Sequence, residues 1–423
     1  MTDPMIGWRT VEVREGRLSR SRPARQPVPA GPHVLVSGPT GVGKSRRVLA
    51  PAAAMWAGPA IVVSSKPDLA RLVAPRRPGP VRLLDLTGWA RVPGADIEPI
   101  RYDPIAAISC PDDALDLAAL LLRVGDVGAG GMGGSGDSAT WQAMATPPLA
   151  ALLWSAALAG ETVGAVADTV GDLTVWEKVV DQLESDGDRS AMHAAALKVL
   201  AQQEDRVRSS VIATMLPAVS AWTRHSIRYA EGDPVRLDDL ATGTLYVIAP
   251  AEGVAASAAV ALLAQVVWRW RRAVEADTPL PPLLMVLDEV ANSSPLPHLP
   301  TWVTEARGLG VRIVAAVQTT AQLTARWGPA WGQVLIECFP AALLMAGSPD
   351  VELLERAATY AGVREVSTRH LDTGGAVTSH ASEVRPSLRA EELAASGIDH
   401  ARLLLGGRDG GLVDLLDWSE IPW

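Results

Sequence analysis

Short apolar runs recur along the chain, each closed by turn-forming residues. Residues 33–37, 61–65, 81–86, 244–249, 283–288, 311–318 and 341–347 read as strands, most of them apolar at nearly every position. Such runs mark strands buried on both faces. A further strand is predicted at 10–14, followed by an Arg/Pro-rich connector to residue 30. Elsewhere the apolar period lengthens to that of a helix. Residues 112–124, 138–158, 173–183 and 189–222 form an Ala- and Leu-rich block without strand candidates. Helices are also predicted at 254–276, 300–308 and 351–361, and a hairpin at 400–406 and 411–418 around "GRDGG". The run "GAGGMGGSG", 128–136, reads as a mobile loop.

Strands alternating with helices predict an α/β fold, a mainly parallel twisted sheet flanked by helices. The helical block is expected as an inserted all-α domain, 108–232. It would divide a nucleotide-binding domain into 31–107 and 233–423, with a basic arm or strand at 1–30. No internal repeat is present.

The strand at 33–37 opens into "HVLVSGPTGVGKS", in which Gly38, Gly43, Lys44 and Ser45 fit G-x-x-x-x-G-K-[ST]. A strand enters and a helix leaves, as a phosphate loop requires. Glycines let the backbone of Gly38, Pro39, Thr40, Gly41, Val42, Gly43, Lys44 and Ser45 curl so that its N–H groups, which Pro39 alone lacks, face phosphate oxygens. Lys44 is positioned for the β- and γ-phosphates, and the Ser45 hydroxyl for Mg²⁺. The expected cofactors are ATP and Mg²⁺.

The strand "LLMVLDE" ends on two acids, Asp288 and Glu289. A carboxylate at a strand end can hold the Mg²⁺ shell, which is the role expected of Asp288. Glu289, one residue on, can polarise a water. Many P-loop kinases lack that second acid, so its presence points to hydrolysis. The next strand, "VRIVAAVQ", ends at Gln318, where an amide can sense the γ-phosphate. The acids lie 244 positions beyond Lys44, far more than one strand–helix–strand unit needs. The helical block fills much of that interval.

Composition then narrows the class. With 38 basic and 47 acidic residues, the net charge of −9 excludes a surface broadly coated for nucleic acid and leaves room for a local basic channel. Arg9, Arg14, Arg17, Arg20, Arg22 and Arg25 make the N-terminal stretch locally basic. Lysine is rare (Lys44, Lys66, Lys178 and Lys198), so one inside a chemical motif is informative. Cys110 and Cys338 fit no metal spacing and read as buried thiols of a reducing cytosol. No apolar stretch reaches the roughly 18 to 20 residues of a membrane span, and no signal peptide is evident.

Residues 31–105 and 240–420 resemble the type IV coupling proteins, RecA-like ATPases of bacterial conjugation and type IV secretion. The likeness rests on "VLVSGPTGVGKSRRVLAPAAAMWAGPAIVVSSKPDL" and "LDEVANSSPLPHLPTWVTEARGLGVRIVAAVQTTAQL", with "RPSLRAEEL" and "LLLGGRDGGLVDLLDW" further on. It implies a hexameric ring that uses ATP to feed DNA, often carrying a relaxase, to a secretion channel. It implies that the all-α domain receives substrate and that Arg307 is the finger reaching a neighbour's ATP. Typical members begin with membrane-spanning helices. The expectation here is therefore a form without that anchor, or one tethered by a separate anchor protein. Its location is cytoplasmic or peripheral on the cytoplasmic face of the inner membrane. The family's strand after the first helix often ends in aspartate. Here "VVSSKPDL" offers Ser64 and Ser65, and no role is carried over.

Two other functions fit the same residues: a cytosolic DNA translocase or helicase with this core, and a nucleotide-bound adaptor that recruits protein substrates. Glu289 and Gln318 argue against the adaptor.

Overall fold

A computed structural model describes residues 3–13, 22–93, 96–128, 136–250, 255–371 and 377–421. Its centre is a 13-stranded sheet. The strands are β1 (Met5–Val13), β2 (Arg22–Pro29), β3 (His33–Ser37), β4 (Ala60–Ser64), β5 (Val81–Asp85), β6 (Glu98–Arg101), β7 (Asp233–Pro234), β8 (Thr244–Ile248), β9 (Leu283–Leu287), β10 (Val311–Val317) and β11 (Ala341–Met345). A separate two-stranded ribbon follows, β12 (Val363–Leu371) with β13 (Val377–Pro386), and then β14 (His400–Leu405) and β15 (Arg408–Asp414) return to the sheet. The order is β2-β1-β15-β14-β11-β3-β10-β9-β4-β8-β5-β6-β7. From β11 to β7 every neighbouring pair is parallel, while β14, β15, β1 and β2 add antiparallel strands at one side.

The alternation of side chains explains why the central strands are apolar throughout. In β9, Leu283, Met285 and Leu287 enter one core, while Leu284 and Val286 enter another on the opposite face. β3 divides in the same way, Leu35 on one side and Val34 and Val36 on the other. Each fully buried aliphatic side chain contributes about 1.5–3 kcal/mol, so a strand covered on both faces uses every position. The first core continues without a break into the helices between residues 111 and 228, through Leu117, Leu121, Leu149, Leu153 and Trp222.

Three local expectations are corrected. The single helix predicted at 189–222 is broken into a short 3-10 turn, Gly187–Arg189, the helices Ala191–Ala201 and Asp205–Val219, and the 3-10 turn Ser220–Thr223. The exposed Gln202–Gln203–Glu204 stretch has no apolar position to hold it against the block, so the chain turns there. Residues 22–29, read as a connector, are β2, whose prolines stand at the sheet's outer edge. An edge strand leaves one row of amides unpaired, so it tolerates proline. Cys110 and Cys338 are free thiols but only half-buried. Residues 129–135 of the glycine run, and Arg14, Arg17 and Arg20, lie outside the described residues.

Candidate nucleotide site

β3, β10 and β9 are adjacent and parallel, so their C-terminal ends open on one edge of the sheet. The register sets Val317 beside Ser37 and Ala315 beside Leu287. The phosphate loop, Gln318 and the two acids therefore share that edge. In open α/β sheets this crevice is where ligands bind.

The loop leaves β3 at Gly38, where an added Cβ would meet Met345 Cβ at 2.9 Å, so the close approach itself requires glycine. Gly43 has φ of +90°, a left-handed turn that side chains resist, and it delivers Lys44 to the start of a helical segment. Lys44 is buried. Its Nζ donates to the carbonyls of Gly38 at 2.5 Å and Pro39 at 3.2 Å, holding the loop closed on itself. Burial lowers the Lys44 pKa, and the nearby Asp288 and Glu289 carboxylates oppose that shift. Next in the chain is Ser45, whose hydroxyl has no bond to another described residue.

Asp288 follows β9 directly. Burial raises its pKa, while a 3.0 Å bond from Ser64 Oγ at the end of β4 lowers it. Ser64 is the residue sequence reasoning passed over: its strand lies beside β9, and its hydroxyl orients the acid. Glu289 has φ of +51°. A non-glycine residue held there costs about 1–3 kcal/mol, and such strain concentrates at functional sites. The turn directs the Glu289 carboxylate toward β10, where Gln318 Nε2 donates to Oε1 at 3.2 Å. Gln318 is itself fixed, since Gln322 Oε1 accepts its backbone N–H at 2.8 Å.

Arg307 is not part of this cluster. It is exposed, in the turn between the helix Leu299–Glu305 and β10. That is the N-terminal edge of the strands, roughly 20 Å along β10 from Gln318. Its charge acts instead on His33, the first residue of β3.

The residues fit a nucleotide with a divalent cation. A cage of curled backbone, a buried ammonium and the start of a helix suit phosphates. Among the described residues no group of three or more His, Cys, Asp or Glu side chains could hold a metal. Mg²⁺ does not need one: it binds through one or two protein oxygens plus phosphate and water. A half-buried Asp288 with a single neutral donor, at the same strand edge as the Ser45 hydroxyl, supplies that set. A separate cavity of about 470 Å³ lies between the sheet edge and the helical block, lined by Tyr102, Asp113, Trp268 and Arg272, and no phosphate-loop residue reaches it.

This mostly parallel sheet, with a phosphate loop leaving β3, is a RecA-like P-loop fold. The chain belongs to the type IV secretory system conjugative DNA transfer family, whose family model matches residues 5–352. Among solved structures it is similar to the bacterial conjugative coupling protein TrwBdeltaN70 in an unbound form. The two share 19% identity with a TM-score of 0.65 over 94% of this chain and 88% of that one. Plasmid coupling protein TrwB in complex with ADP and Mg²⁺ gives 18% identity and a TM-score of 0.64 over 92% and 87%. Its complex with the non-hydrolysable ATP analogue ADPNP gives 18% and 0.61 over the same shares. Comparison with the curated proteins returns no match. No helix among the described residues is long and apolar enough to cross a membrane.

Proposed function

We propose that the chain is an ATP-hydrolysing DNA motor, a coupling protein that feeds DNA, with its relaxase, to a type IV secretion channel. The observation that carries the ATPase reading is the bond between Gln318 and Glu289 at the edge where Lys44 and Asp288 also stand. Residues 31–107 and 233–423 form the nucleotide domain in this reading. Residues 108–232 form the helical domain that meets protein substrate, and residues 1–30 form the basic N-terminal arm, of which β1 and β2 lie at one side of the sheet.

Ser45 and Asp288 would hold the Mg²⁺. When bound, the ion supplies positive charge to the β- and γ-phosphate oxygens. Lys44 adds a second charge and, in doing so, exchanges its loop carbonyls for phosphate oxygens. Ser64 keeps Asp288 turned inward. Glu289 orients a water and accepts its proton, and Gln318 holds that carboxylate in place. Arg307 cannot reach the same copy's loop, so its role as a finger requires a second copy, consistent with a homo-hexamer. The motor works in the cytoplasm or peripherally at the cytoplasmic face of the inner membrane.

The test is ATP turnover by the wild type and Lys44→Ala, each with and without DNA. Wild-type turnover is expected to rise with DNA, and Lys44→Ala is expected to lose nucleotide binding. Equal turnover by both proteins in a clean preparation overturns the reading.

A further inference from the structure

Asp350 occupies the N-cap of the helix Val351–Tyr360. An aspartate at this position ordinarily turns its carboxylate onto the first free amides of its own helix. Here the side chain makes no such bond. It turns toward the phosphate-loop edge, where it is 6% exposed and gathers donors from two neighbouring strands. Ser37 Oγ, at the end of β3, donates to Oδ2. Thr319 Oγ1 and Thr320 Oγ1 each donate to Oδ1 at 2.8 Å, and the Thr320 backbone N–H adds a bond of 3.0 Å. Ser348 Oγ lies 3.2 Å from Ser37 Oγ and completes the cluster.

Asp350 forms no ion pair with a described residue. A buried carboxylate without a cation is tolerated only when donors satisfy both oxygens. The cluster meets that condition, and in doing so it fixes where those donors stand. Ser37 is the residue before Gly38, and Thr319 is the residue after Gln318. The carboxylate thus sets the spacing between the root of the phosphate loop and the amide that holds Glu289.

We propose that Asp350 is a positioning residue for hydrolysis, locking the Gln318–Glu289 pair to the phosphate loop. The proposal rests on the ATPase reading above. Asp350 touches neither the nucleotide nor the water. It acts through the two strand ends it joins, and its loss should disturb the step that depends on their spacing more than the binding of nucleotide.

The experiment is a double-mutant cycle on steady-state ATP hydrolysis, with nucleotide affinity and Tm measured for each protein. The variants are Asp350→Asn, Gln318→Ala and the two combined. Asp350→Asn keeps the shape but places an amide among hydroxyl donors. Its kcat should fall about tenfold or more, as expected for a misplaced catalytic group, with KM and nucleotide affinity within about twofold. Added to Gln318→Ala, it should cause little further loss, because the group it positions is already gone. Ser37→Ala and Thr319→Val each remove one donor and carry the same test if Asp350→Asn does not fold. Unchanged kcat in the folded variants, or losses that multiply independently, overturn the proposal. A wild type that binds ATP without hydrolysing it overturns the ATPase reading and this proposal together. Wild-type turnover with equal Asp350→Asn turnover overturns the proposal alone.

Discussion

Glu289 sits in a backbone conformation that glycine or asparagine would occupy more cheaply, yet it carries a long acid bonded to Gln318 at 3.2 Å. The strain aims the carboxylate, so its shape and its charge can be separated by substitution. Glu289→Gln keeps the length and loses the base. It should bind ATP within about twofold of wild type, with kcat reduced about 10² to 10⁴-fold, the usual contribution of a positioned general base. Single-turnover hydrolysis and a fluorescent nucleotide titration check the two halves. Normal turnover would remove Glu289 from the water-activating role.

At the scale of elements, β3 carries opposite chemistry at its two ends. Its C-terminal end opens into the phosphate loop, and its first residue is a buried histidine. Both ring nitrogens of His33 lack a partner, and burial, then Arg312 and Arg307, push its pKa down to about 4. The folded chain therefore keeps His33 neutral, while the unfolded chain protonates it near 6.5. Its stabilising contribution is intact above about 6.5 and drains away as pH falls toward 4. Wild type should lose about 1 kcal/mol from this group between neutral pH and about 5.5, and His33→Leu should lose less. Chemical denaturation of both proteins at the two pH values measures the difference. Unfolding curves with the same pH slope would dismiss it. The strands around β3 were legible in the sequence because burial on both faces makes each an unbroken apolar run. β2 and the ribbon β12–β13 were not: β2 is an edge strand of prolines and arginines that gives Val28 to the core, and the ribbon is a separate sheet carrying charges. In the site, the phosphate loop, the acid pair and Gln318 were readable because each sits at a fixed offset within one motif. Ser64 and Asp350 were missed for a physical reason. Ser64 bonds an acid 224 residues away and Asp350 joins Thr319 and Thr320 to Ser37, 313 residues away, and only the parallel order of the strands brings these ends together.

At the scale of the whole molecule, the phosphate loop and Arg307 stand at opposite edges of one sheet. Lys44→Ala and Arg307→Ala should each be nearly inactive, the first through lost binding and the second with binding intact. Arginine fingers are worth about 10³ to 10⁵ in rate in other phosphoryl-transfer systems, so partial rescue is easily seen. Mixing the two variants under assembling conditions should restore some turnover, since an intact loop can then meet an intact finger from another copy. Dilution below assembly should abolish the recovery. Mixed assemblies that never exceed the sum of the separate variants would place Arg307 among residues that merely support the fold.

That separation of loop and finger also restricts symmetry. If one copy's finger completes its neighbour's site, the surfaces in contact are two different patches, a heterologous, head-to-tail arrangement. A two-fold dimer completes both sites only where loop and finger share one self-complementary patch, and here they stand at opposite ends of the strands. In a head-to-tail arrangement closure into a ring completes every site, whereas an open stack strands one loop at its end. A protomer carrying both Lys44→Ala and Arg307→Ala then spoils two sites at once: its own loop fails, and its finger fails the next loop around. Activity in a mixed population should consequently fall faster than the fraction of defective copies rises.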